Sequence, residues 1–219
     1  MAFGVEQLGK RAFASSPLLR LVAVDGSAAH RWVAALRAAQ GHDAMRNLAD
    51  AAHFLCMLHG RQPGVIDHAV GAPGGAALAR VAEAFGAERS FVTRVAVASG
   101  PAPSTPGAAQ SEQAVAAQVH ALEMLSLSER RGCAAGAALA LALDWRTLRP
   151  LLTLVAARSG LDSPPCGLPD EDEALELLGD FATCERALMF GASQLLAQQR
   201  GLLDLLEARA DARRVADGF

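Results

Sequence analysis

Between Cys133 and Leu143 the chain reads CAAGAALALAL, eleven residues without a polar side chain. A helix that is apolar all the way round cannot face water, so it must lie at the centre of a larger helical assembly. The run is too short to span a bilayer, which takes about 20 apolar residues. The helix is expected near residues 129–144. Its start is marked by Ser126-Leu-Ser-Glu129, which matches a capping box. The chain has 219 residues, 52% of them hydrophobic and 20% charged, enough apolar surface to surround such a helix in one packed domain.

The rest of the chain reads as helices around that centre. Residues 3–14 fit a short amphipathic helix. Leu18–Val24 is ambiguous between strand and helical turn, because a short apolar run does not settle the period. Asp25-Gly-Ser27 reads as a turn and N-cap for a helix from Ala28 to about Gln40. In 44–59, Leu48, Ala51, Ala52, Leu55 and Leu58 form an apolar stripe, with Arg46, Asp50, His53 and Met57 on the opposite side. Helices follow over 63–70, 76–98 and 111–125. The stretch 99–110 (SGPAPSTPGAAQ) reads as an exposed loop and 160–169 (GLDSPPCGLP) as a Pro-rich linker. Arg149-Pro150 marks a kink or a break. Asp170-Glu-Asp-Glu173 opens a long C-terminal helix to about residue 209. The expected fold is all-α, a single-domain bundle of about seven to nine helices over residues 1–219.

Composition removes several function classes. The formal net charge is −3, with a net +3 on residues 1–110 and −6 on residues 111–219. Neither half carries a basic stripe interleaved with aromatics, which argues against nucleic acid as a partner. The four cysteines show no CxxC spacing and the N-terminus lacks an apolar signal core, so reduced thiols and a cytoplasmic location are expected. No segment reads as membrane-spanning. A high alanine content, abundant arginine, a single lysine (Lys10) and no tyrosine fit a GC-rich bacterial genome.

The chemistry-bearing residues gather in Met45–Gly75, where three of the six histidines fall. Gly60 can end one helix and Pro63 can open the next. A corner that tight would bring His59, Arg61, Asp67 and His68 together. Two readings follow. Either His59 caps its own helix, Asp67 pairs with Arg61 and His68 is exposed, or the four form the polar end of an interhelical pocket. Arg46, Asp50 and His53 share one face, which the pattern assigns to solvent. Glu185 interrupts the apolar stripe of the last helix and is expected to be at least partly buried and hydrogen-bonded. Gly71-Ala-Pro-Gly-Gly75 reads as a plain interhelical turn, and no GxSxG, HExxH, Walker or GxGxxG pattern occurs.

Two resemblances concern arrangement. His120-x-x-Glu123 and Asp50-x-x-His53 resemble the inward carboxylate and imidazole sets of ferritin-like di-iron bundles, which would imply a metal-dependent oxidase. The first pair is in reverse order and the second lies on the polar face, so no metal ligands are assigned. Cys133 on the buried helix and Glu185 on the last helix resemble the catalytic pair of the heme-oxygenase-like helical fold, TenA-type thiaminases included. That family's pocket is lined with tyrosines and this chain has none, so the resemblance implies the fold and not the activity. Cys133 itself reads as an inert core thiol.

Three functions remain in order of preference. The first is a domain that binds, and in one version transforms, a small apolar or amphiphilic molecule, with His59, Arg61, Asp67, His68 and Glu185 as binding residues. The second is an interaction protein packing on a partner subunit, a homo-oligomer included. The third is the metal-dependent oxidase. The sequence identifies no cofactor.

Overall fold

A computed structural model describes residues 16–218, so the short helix expected at 3–14 lies outside the described residues. Among the described residues there is no strand, and nine α-helices succeed one another: α1 (Pro17–Asp25), α2 (Arg31–Ala38), α3 (His42–His59), α4 (Val65–Gly71), α5 (Ala79–Ala98), α6 (Ala108–Ser126), α7 (Cys133–Arg158), α8 (Glu171–Leu178) and α9 (Glu185–Ala216). The protein is all-α. No helix among these residues is long and apolar enough to cross a membrane.

The apolar run does occupy the centre. Every residue of α7 from Cys133 to Trp145 is buried, and side chains from the other helices close around it in one continuous core. The closest neighbour is α9. A Cβ added to Gly136 would stand 1.9 Å from the Leu188 carbonyl oxygen, and one added to Gly191 would stand 1.9 Å from that of Cys133. Two backbones in contact leave no room for any side chain, which is why glycine occupies both positions. Gly191→Ala is therefore expected to cost about 2–3 kcal/mol in urea unfolding, because the helices must part to admit a methyl group. A loss below about 0.5 kcal/mol would contradict the crossing.

Several boundaries differ from the sequence reading. Leu18–Val24 is helical, because Ser16 caps the Leu19 N–H and Pro17 sits in the first turn, where its missing N–H costs nothing. Ser27 is not the N-cap of α2. It belongs to a short 3-10 turn (Ser27–Ala29), and the cap is His30, whose Nδ1 accepts from the Trp32 N–H. The central helix starts at Cys133 instead of near 129: Ser126 ends α6, its hydroxyl donating to the Glu123 carbonyl, and Gly132 enters α7 at φ 89°. Pro150 removes one backbone hydrogen bond but does not break α7, whose flanking Leu148, Leu151 and Leu152 are buried. Asp170 and Glu173 form a capping box at the start of α8, but a 3-10 stretch (Gly179–Cys184) separates α8 from α9, so the long C-terminal helix starts at Glu185 and not at 170. The 99–110 loop is not wholly exposed, since Thr105 is buried against α9.

The polar side of α3 is the largest departure. Asp50 is 1% exposed and receives the guanidinium groups of both Arg209 and Arg213 at 2.7–2.8 Å. Arg213 also reaches the Asn47 side chain, and both arginines donate to the Thr105 hydroxyl. The C-terminal half of α9 covers the face that the charge pattern assigned to solvent.

Candidate functional site

The corner between α3 and α4 is built as follows. α3 ends at His59, and Gly60, in ordinary right-handed geometry (φ −75°), donates its N–H to the Cys56 carbonyl. Pro63 stands before α4 instead of opening it; Gly64 is the N-cap, and Asp67 accepts from its N–H at 2.7 Å. That bond and one from Arg89 at 2.8 Å fix the Asp67 carboxylate. Asp67 therefore does not pair with Arg61, which extends to Glu123 of α6 at 2.8 Å.

His59 is buried at 5% exposure, and its surroundings determine its state. Nε2 lies 2.6 Å from the Gln199 side-chain oxygen, and the Gln199 amide nitrogen donates to Asp144 at 3.3 Å. The Asp144 carboxylate accepts from both the Ser27 N–H and the Ser27 hydroxyl at 2.6 Å. With its amide nitrogen donated to Asp144, Gln199 presents its oxygen to His59, and Nε2 is the protonated ring nitrogen. Nδ1 has no hydrogen-bond partner among the described residues. Burial lowers the His59 pKa to about 4, with Arg89 pushing the same way and the Gln199 bond opposing. The ring is neutral at pH 7. Burial pushes the Asp144 carboxyl up, against the three hydrogen bonds it accepts.

The ring packs edge-on to Phe85 and Trp145, with centroids 6.4 and 5.7 Å away. Trp145 donates to buried Glu88 at 2.9 Å, and Glu88 is held from the other side by Arg149. Above His59 is a cavity of about 30 Å³, with Leu58, Val65, Phe85, Leu122 and Leu141 among its walls. Arg61, His68 and Glu123 also line it, at the polar side. That volume holds a water molecule or two.

His59, Arg61 and His68 thus meet at one cavity, and Asp67 fixes the turn beside it. Glu185 does not join them. It is exposed on the first turn of α9, so its expected burial is corrected and it leaves the candidate site. Sequence reasoning missed Ser27, Asp144 and Gln199. A signal for one of them existed: an aspartate adjoining an all-apolar helical run requires a partner.

A family model matches residues 22–214, nearly the whole described chain. The chain belongs to DUF6975, a family of unknown function. No curated protein and no solved structure matches it. In this DUF6975 member the TenA-type pair is not presented to a common cavity, since Cys133 is wholly buried and Glu185 is exposed. Nor do the pairs that resembled a di-iron bundle gather: Asp50 is consumed by two arginines, His53 bonds the Gly100 carbonyl, and His120 is exposed. His30, Asp204 and Glu207 do lie within 4.8 Å of one another. However, His30 Nδ1 accepts the Trp32 N–H, so Nε2 carries the proton it shares with Asp204, and Glu207 pairs with Arg31. The capped imidazole has no lone pair left for a metal.

Proposed function

We propose that the protein binds a small amphiphilic molecule at the α3–α4 corner, with a hydrogen-bond donor of the ligand received by His59 Nδ1. One observation carries this reading. A neutral imidazole is held in one tautomer by a buried chain of three further side chains, and its remaining acceptor has no partner among the described residues where the ring lines a cavity.

The apolar part of the ligand would lie along Val119, Leu122 and Leu141, away from the polar side. A molecule larger than a water or two has to widen the cavity. Arg61 and Glu123 both line the cavity and both are substantially exposed, so separating them costs about 0–1 kcal/mol. They act as a weak latch at the entrance.

His59→Gln tests the reading. A glutamine amide can still donate to Gln199 but offers no acceptor in the place of Nδ1, so stability is expected to change by about 1 kcal/mol or less at pH 7. Small molecules released from the denatured protein would be compared by mass spectrometry. The wild type is expected to release one species in near-stoichiometric amount and His59→Gln to release almost none. Equal retention by both, or no species from the wild type purified under native conditions, would overturn the proposal.

A further inference from the structure

A second pocket, of about 530 Å³, opens where α2, α7 and the 160–169 segment meet. Its size is that of a small-molecule site, unlike the tight His59 cavity. Three arginines line it, Arg37, Arg146 and Arg149, and no carboxylate does. Pro150, Leu154 and Cys166 give it an apolar wall.

The three guanidinium groups are not equivalent. Arg149 is held on two sides, by Glu88 at 2.9 Å and by the Pro164 carbonyl, so its position is fixed and its charge is largely balanced. Arg146 donates one N–H to the Leu168 carbonyl at 2.8 Å, and no carboxylate pairs with it among the described residues. Arg37 is exposed and has no ion-pair partner among them. Two positive charges with no carboxylate partner among the described residues therefore face a concave apolar surface. Elsewhere among the described residues eight arginines, Arg31, Arg61, Arg89 and Arg209 among them, pair with a carboxylate and seven do not.

We propose that this pocket is a binding site for a small organic anion, with Arg37 and Arg146 receiving its charged group and the Pro150–Leu154 wall its apolar body. Guanidinium groups suit carboxylates and phosphates because their planar forks can donate two parallel hydrogen bonds. Arg149, pinned by Glu88, shapes the floor. This site is separate from the His59 corner, and neither proposal depends on the other.

Two fluorescent probes that differ only by an anionic group test it: 1-anilinonaphthalene-8-sulfonate and the uncharged N-phenyl-1-naphthylamine. The wild type is expected to bind the sulfonate at least about tenfold more tightly than its neutral counterpart. In Arg37→Ala/Arg146→Ala that preference is expected to vanish, while His59→Gln retains it. Arg37→Ala alone removes an exposed side chain that holds nothing in place, so it stays folded, and a loss of about threefold is expected. Equal affinity for the two probes in the wild type, or a preference unchanged in the single and double arginine variants, would overturn the proposal.

Discussion

Asp50→Ala is expected to remove about 3–5 kcal/mol of stability, the range seen when one member of a buried ion pair is deleted. The cause is what remains behind. Arg209 and Arg213 are 4% and 3% exposed, and without Asp50 the acceptors left to the two guanidinium groups among the described residues would be the Thr105 hydroxyl and the Asn47 side-chain oxygen. Arg209 already has one nitrogen, Nη1, with no hydrogen-bond partner, and its guanidinium lies over the Phe54 ring at 4.4 Å. The ring face compensates for part of that, but not for the loss of a carboxylate. Asp50→Asn keeps an acceptor without the charge and should still be strongly destabilised. Replacing Asp50, Arg209 and Arg213 together by leucine and methionine should recover much of the loss, because no charge is then stranded. Urea midpoints at unchanged slope are the measurement. An Asp50→Ala variant within about 1 kcal/mol of wild type would mean that the three groups reach water.

Acidification is expected to destabilise the protein through His59. The folded ring stays neutral down to about pH 4, whereas in the unfolded chain it takes up a proton near its ordinary value of 6.5. Between those values the unfolded state binds the extra proton, so stability falls as the pH falls and levels off below the window. The displacement corresponds to about 3 kcal/mol. Asp144 works in the opposite sense. Its raised pKa gives a contribution that is present at low pH and lost as the pH rises through the folded value. A comparison with His59→Gln separates the two, since Asp144 is common to both proteins. The variant should match wild type at pH 7 and exceed it by about 2–3 kcal/mol at pH 4. A difference that stays constant across this range would refute the buried neutral state.

The sequence carried the fold further than the site. An apolar helix such as 133–143 has one place to go, and the periodicity around it has one helical solution. The His59 corner was visible because glycine and proline bracket it. The partners that define its chemistry were not, because Ser27, Asp144 and Gln199 come from three other elements, and a single sequence holds no record of which helices meet. Asp50 shows the same limit from the other side. Its face is polar, and polarity alone reads as solvent. The signal available was Arg209 and Arg213, one turn apart on the face of α9 that carries Leu202, Leu203, Leu206 and Ala210. Two arginines on a core stripe require a buried acid. Glu185 misled for the opposite reason, since a carboxylate beside a stripe at a helix's first turn can swing outward.

The state of the His59 ring is the most direct test, because the proposed binding reading rests on a neutral imidazole with Nδ1 unprotonated. Long-range nitrogen–proton correlation spectra of the labelled protein report both ring nitrogens and can be followed through an acid titration. The predicted result is a single tautomer at pH 7, protonated at Nε2 and bare at Nδ1, that persists until about pH 4. A ring protonated at Nδ1, or an imidazolium already formed at pH 6, would contradict the account.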